Sequence, residues 1–387
     1  MTRFLRPKYF FLGIVFSFLF CCIAGYVVSL KARFSHFTRF TSYISTSLNY
    51  FPLASELLVT AQHNVDKNKV LVLLGGSSIF RGDGQNEDDL WSQNLQQQLG
   101  DKYKVLNYGY NGASFDAFGG VAFRILNEHF PKMIFVSTCS YSEDADIDGG
   151  KTYGYLFWDG YYKHLFHLNA DEKQKMAELR HRQLKTPEGV ELHTMSYLDS
   201  VFYFRNLWNW VSYRYVFTVY DKNTYPNTFR ARRKFPDDKL DNEAIVARAR
   251  ADNDRFASER DGLIKSYYHH YIDPTTHRYV ATEADRIKNL YEGVFDPRYR
   301  SKTLCYVSPY NPRHLSAIPK NDQESYYFMI DDTSTIIKSL GYHAIRGKGF
   351  SANDYVDIMH YVASGGNKLA SQIAPEVEVI AKEKGYI

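Results

Sequence analysis

Three observations predict an α/β fold with a mainly parallel, five-stranded sheet between two layers of helices. Short strand-like runs, Val70–Leu74, Tyr103–Asn107 and Met133–Cys139, alternate with amphipathic stretches of helical length. The same alternation returns between residue 303 and the C-terminus. The chain has 387 residues, 44% hydrophobic and 23% charged, which suits one large globular domain with an insertion. Strands joined by helical crossovers run parallel and need helices on both faces, giving a three-layer sandwich.

The first element lies outside that sandwich. Residues 9–30 carry no charge between Lys8 and Lys31. At 1.5 Å per residue such a run crosses a hydrocarbon core of about 30 Å. Arg3, Arg6 and Lys8 precede it and Lys31, Arg33 and Arg39 follow, so the positive-inside signal is nearly balanced. A short basic tail before one span and a long domain favours a cytoplasmic N-terminus and an extracytoplasmic domain. No small-x-small cleavage site follows the run, so residues 1–31 read as a tail and uncleaved anchor rather than a signal peptide. Residues 32–67 read as a helical connector, and residues 68–387 as the main domain.

Within that domain, Val70–Leu74 is the first strand. Residues 88–99 form a helix with acids at its start and Gly100 at its end. Tyr103–Asn107 is the second strand, residues 115–128 a helix capped by Ser114, and Met133–Cys139 the third strand. Residues 303–308 are a fourth strand closed by Pro309, residues 323–340 a helix stopped by Gly341, and residues 342–345 a fifth strand. The last helix starts near Gly365 and runs to Lys384, with Pro375 a place for a break. Residues 150–300 interrupt the rhythm. Two helices, 171–184 and 242–266, bracket an aromatic, basic stretch from Tyr203 to Phe235. Many of the 32 tyrosines and 27 phenylalanines cluster between residues 153 and 229, as a packed lid or a wall for sugars or lipid. An insertion between strands three and four sits over the C-terminal edge of the sheet, a natural place for substrate choice.

At that edge lies the candidate chemistry. Val70–Leu74 ends in Gly75-Gly76-Ser77-Ser78, and a strand breaking into a glycine-flanked serine presents a hydroxyl there. Ser77 is the expected nucleophile. A serine hydroxyl needs a base to take its proton as it attacks. Asp357 stands three residues before His360 on a turn entering a helix, so the two can face one side, with the acid holding the imidazole in the right tautomer. Asp354 is a second nearby acid, kept as a turn cap.

These segments resemble the SGNH (GDSL-type) hydrolases, which implies a flavodoxin-like sheet. Gly75-Gly76-Ser77-Ser78 resembles the block that carries the nucleophile, and Asn107-Tyr108-Gly109-Tyr110-Asn111-Gly112 the block whose last glycine supplies an oxyanion N–H. Asp357-x-x-His360 with Gly365 resembles the final block. Gly112 is therefore the expected oxyanion residue, together with the N–H of Ser77. The third block departs from the family. Its usual Gly-x-Asn-Asp is replaced by Ser137-Thr-Cys-Ser-Tyr-Ser142, and Asn111, Ser140 or Ser142 could supply the missing side chain.

The resemblance implies a membrane-anchored serine esterase or O-acyltransferase that passes an acyl group through an acyl-serine. The substrate expected is an acylated cell-envelope glycan or related small ester, and the expected partner a multi-span membrane protein that delivers the acyl group. The alternative is a non-catalytic envelope protein that binds glycan or holds an assembly together. No cofactor is expected. A formal charge of +4 with no basic face gives no reason to invoke nucleic acid. Asp144-Ala-Asp146-Ile-Asp148-Gly149 mimics a calcium loop, but Tyr155 stands where a bidentate Glu is needed. His164 with His167, and His269 with His270, lack a third ligand for zinc. The cluster Arg230, Arg232, Arg233 and Lys234 reads as a solvated loop or a phospholipid contact. Cys21 and Cys22 fall in the apolar run, and Cys139 and Cys305 do not read as a disulfide framework.

Overall fold

The computed structural model describes residues 7–30, 53–82, 85, 90–109, 113–115, 118–139, 150–211, 271, 273, 275, 280–316 and 318–387. The expected helix 242–266, the Arg230–Lys234 cluster, the acidic turn 144–149, His269 and His270 lie outside the described residues.

Five strands, β1 (Val70–Gly75), β2 (Tyr103–Asn107), β3 (Met133–Cys139), β4 (Thr303–Val307) and β5 (His343–Arg346), form one sheet in the order β2-β1-β3-β4-β5. Every pairing is parallel, so the sheet is wholly rather than mainly parallel. All of β1, β3 and β4 is buried, which explains why their sequences read as continuous apolar runs. Side chains alternate between the two faces. Leu71, Leu73, Met133, Phe135, Cys305 and Val307 join one core, whereas Val70, Val72, Leu74, Ile134, Val136, Leu304 and Tyr306 join the other. Cys139 and Cys305 are buried and not joined by a disulfide, with Cys305 in register with Ser137 and Cys139 with Val307.

Helices cover both faces. The first core is completed by α2 (Ala54–Asn64), α5 (Phe118–Asn127), α10 (Ala281–Val294) and α13 (Lys320–Ser339). The second is completed by α4 (Trp91–Leu99) and α14 (Ala363–Glu383). Pro375 sits inside an unbroken α14, not at a break. The carbonyl it leaves without a donor is that of exposed Ser371, where water can serve.

The insertion opens with four helices, α6 (Gly150–Tyr162), α7 (Ala170–Gln183), α8 (Pro187–Phe202) and α9 (Phe204–Val211), rather than the single helix expected there. Thr186 caps α8 and Pro187 supplies its preset first turn. Aromatic packing holds the group: Trp158 stacks edge-on against Tyr161 at 5.2 Å and against His193 at 4.2 Å. The N-terminal helix α1 (Pro7–Ser29) is long and apolar enough to cross a membrane or to act as a signal sequence. Three short helices, α3 (Ser78–Arg81), α11 (Pro297–Arg300) and α12 (Pro312–Leu315), follow β1, α10 and β4, and the first and last frame the site.

Candidate active site

The site gathers at the C-terminal ends of β1, β3 and β4, where the strand order turns about β1 and open parallel sheets form a crevice. Gly76 has φ of +80°, a left-handed turn that carries the chain off β1. Ser77 is then extended and caps α3, its Oγ accepting from the Ile79 N–H at 3.4 Å. Its own N–H donates to Thr138 Oγ1 at 3.0 Å. Ser77 is therefore turned toward the end of β3.

The serine that meets the histidine is its neighbour. Ser78 Oγ lies 2.6 Å from His360 Nε2, and His360 Nδ1 lies 2.6 Å from Asp357 Oδ2. The hydroxyl within reach of His360 is thus that of Ser78 and not that of Ser77, the residue expected there, while Asp357 and His360 stand together as expected.

The carboxylate fixes the direction of the chain of hydrogen bonds. Asp357 Oδ1 accepts from the Met359 and His360 N–H groups at 2.9 and 2.8 Å, leaving Oδ2 for the ring. Burial alone would raise the Asp357 carboxyl, but the hydrogen bond and charge of His360 and these two N–H groups hold it down at about 2. An ionised Oδ2 needs the ring proton on Nδ1, so Nε2 is left as the acceptor for the Ser78 hydroxyl.

Neighbouring elements hold this geometry. Asn311, buried ahead of α12, donates from Nδ2 to the Asp357 carbonyl at 2.9 Å and from its N–H to the Ile358 carbonyl at 2.8 Å. Ser308 and Tyr306 hydrogen-bond the Tyr361 hydroxyl at 2.9 and 3.1 Å, and Gln85 donates to the Tyr361 carbonyl at 3.2 Å. On the serine side, Asn107 and Trp91 both donate to the Phe80 carbonyl, at 2.8 and 2.7 Å, pinning the end of α3. Asn311 and Gln85 were invisible as site residues in the sequence, because they act on a loop 46 and 276 residues away. The only local sign was Asn311-Pro312, a helix-start pair.

Asp354 does cap its turn. It accepts from Ser351 at 2.7 Å, Ser364 at 3.0 Å and Lys368 at 2.7 Å, and takes no part in the His360 pair. The Ser78 N–H has no acceptor among the described residues and starts α3. Gly112, Asn111, Ser140 and Ser142 lie outside the described residues. Among the described residues no group of three acids, histidines or cysteines could hold a metal. No protein-family profile, curated protein or solved structure matches the chain.

Proposed function

We propose that the protein is an SGNH-like, flavodoxin-type serine esterase or O-acyltransferase that works through an acyl-Ser78 intermediate. One observation carries the reading: the continuous chain from Ser78 Oγ through His360 to Asp357, with both links at 2.6 Å. As Ser78 Oγ attacks an ester carbonyl, its proton passes to His360 Nε2, and Asp357 stabilises the imidazolium. The collapsing tetrahedral intermediate expels an alcohol that takes the proton from His360, leaving the acyl group on Ser78. Water or a second alcohol then attacks, giving its proton to the same nitrogen. The first outcome is hydrolysis and the second is acyl transfer.

The membrane part of the reading rests on α1, whose mean hydropathy reaches 2.5 over an 18-residue window and whose Phe10, Phe16 and Phe20 are exposed. Such a helix anchors the protein with its N-terminus in the cytoplasm and Ser78 on the far side. Substrates at that location are acylated envelope glycans or related esters, with a multi-span membrane protein as acyl donor.

A fluorophosphonate probe tests the central claim. Wild type and Ser77→Ala are expected to label, and Ser78→Ala is expected not to. Labelling that disappears in Ser77→Ala but persists in Ser78→Ala would return the nucleophile to Ser77. No labelling of any folded form would remove the enzyme reading.

A further inference from the structure

α8 is built inside out. Its buried side includes His193, Ser196 and Asp199, while Val190, Tyr197, Leu198 and Val201 share the opposite, exposed face. Tyr197 is 56% exposed and, beyond the bend at Tyr203, Trp208 of α9 is 55% exposed. His193 and Asp199 have protein partners, whereas the Ser196 hydroxyl has none among the described residues. His193 meets Tyr162 and Gln183 at 3.0 and 2.9 Å, Asp199 meets Lys163 at 3.3 Å, and Asn206 of α9 donates to Glu56 at 3.3 Å. Outside the N-terminal segment, eight of the eleven large exposed apolar side chains among the described residues fall between Leu184 and Trp208. Scattered single exposures are ordinary for a soluble surface; this concentration on one helix pair is not.

The location of this surface says what covers it. The bend between α8 and α9 packs on the C-terminal half of α1. Phe18 meets Phe202 and Phe204 with ring centroids 5.2 and 5.4 Å apart, and Tyr26 meets Tyr203 at 5.3 Å. Gly25 lets the Tyr203 carbonyl come against the helix backbone, where any Cβ would collide with it. Phe18 is eleven residues before Ser29, so it lies about 16 Å along the axis from the C-terminal end of α1. Half of a hydrocarbon core is about 15 Å. If α1 spans, rings seated on Phe18 lie within the hydrocarbon and not above it.

We infer that the exposed face of α8 and α9, from Val190 to Trp208, is a second membrane contact, seated in lipid beside α1 on the catalytic-domain side. This rests on the anchored reading of α1. Lipid accepts the apolar face, the domain bonds His193 and Asp199 on the polar face, and Tyr197 and Trp208 are side chains suited to the headgroup boundary. The contact holds the domain in one orientation instead of letting it swing on a single helix.

Tryptophan quenching in vesicles tests this on the full-length protein: Trp91 and Trp158 are buried, half-buried Trp210 is common to every protein compared, and Trp208 is exposed. Wild type and Trp208→Phe are reconstituted in phosphatidylcholine–phosphatidylglycerol vesicles with and without brominated acyl chains. Their difference isolates Trp208. Two references are made in the Trp208→Phe background: Ile14→Trp on α1 and Phe328→Trp on the exposed face of α13. The expected result is at least about two-fold loss of the Trp208 signal with brominated chains and shielding from aqueous iodide. The Ile14→Trp reporter should behave likewise, and the Phe328→Trp reporter should show the reverse. If iodide quenches Trp208 while brominated chains quench the Ile14→Trp reporter, the second contact is wrong and the anchor stands. If the Ile14→Trp reporter escapes the brominated chains, both fall. Shielding of Trp208 from both quenchers would mean that a protein surface, a partner or a second copy, covers the face, and would overturn the lipid contact.

Discussion

Ser77 and Ser78 are chemically identical and adjacent, and their roles separate because of where α3 begins. Ser77 is the extended cap and Ser78 the first helical residue, so their side chains diverge. A serine pair at the strand end was legible in Gly75-Gly76-Ser77-Ser78, but the helix start was not, and that decides which hydroxyl reaches His360. Asp357 and His360 were legible because their contact is local, three residues apart. His360→Ala should lower turnover of an activated ester by at least about 10²-fold, through loss of general-base assistance. Asp357→Asn keeps the shape but favours the wrong tautomer, a change that costs about 10⁴ in the well-studied protease triad. Asp354→Asn should do far less, because its partners are Ser351, Ser364 and Lys368; steady-state rates of the three variants decide the ranking. Asp357 also makes a stability prediction. Its carboxyl sits at about 2 in the folded protein against an ordinary 3.8, so its contribution is present above 3.8 and lost as pH falls toward 2. The linkage is worth about 2 kcal/mol at full extent. Denaturant midpoints of wild type and Asp357→Asn should therefore converge across that interval.

At the scale of elements, the strands were well marked, and β2 and β3 have the bounds their sequences predict. Each needs only a short run and a flanking turn residue to be recognised. The insertion was harder, because aromatic residues serve both core and surface and blur the helical period. In α8 the polar side is buried, which inverts the pattern from which a soluble helix is read. His193 gives this element a measurable signature. Burial, and to a lesser degree the Arg180 charge, push its imidazole down to about 4 from an ordinary 6.5. The unfolded chain therefore gains a proton first as the medium is acidified, and stability should fall progressively between pH 6.5 and 4. His193→Gln removes that titration. Thermal melts should show a shallower pH slope for the variant over this window, and an unchanged slope would mean that the buried imidazole is not the group responsible.

The whole molecule is joined by charges that the sequence gave no reason to group. Lys163 at the end of α6 sits 2.6 Å from Asp159 and 3.3 Å from Asp199 of α8, all three nearly inaccessible. Asp159 also accepts the Ala54 N–H at 2.9 Å, and Asp199 the Arg205 N–H at 2.6 Å. One cluster thus ties α2, α6, α8 and α9 together, and through α9 the helix α1. Burial raises the Asp199 carboxyl despite Lys163, and the folded state tolerates the two acids because the ammonium lies between them. Lys163→Met keeps much of the volume and removes the cation paired with both acids, leaving two buried carboxylates in the cluster. Breaking such a cluster from one side costs about 3–5 kcal/mol, against near-neutrality when all its members are replaced by apolar groups. Lys163→Met should therefore lower the melting temperature by several degrees and expose α6–α9 to protease. Asp199→Asn, which leaves Asp159 and Lys163 paired, should cost less. Ser78 starts α3, just after β1 and outside this cluster, so fluorophosphonate labelling of Lys163→Met below its melting point should persist. Loss of labelling in a folded Lys163→Met protein would show instead that the insertion helps to hold the catalytic geometry.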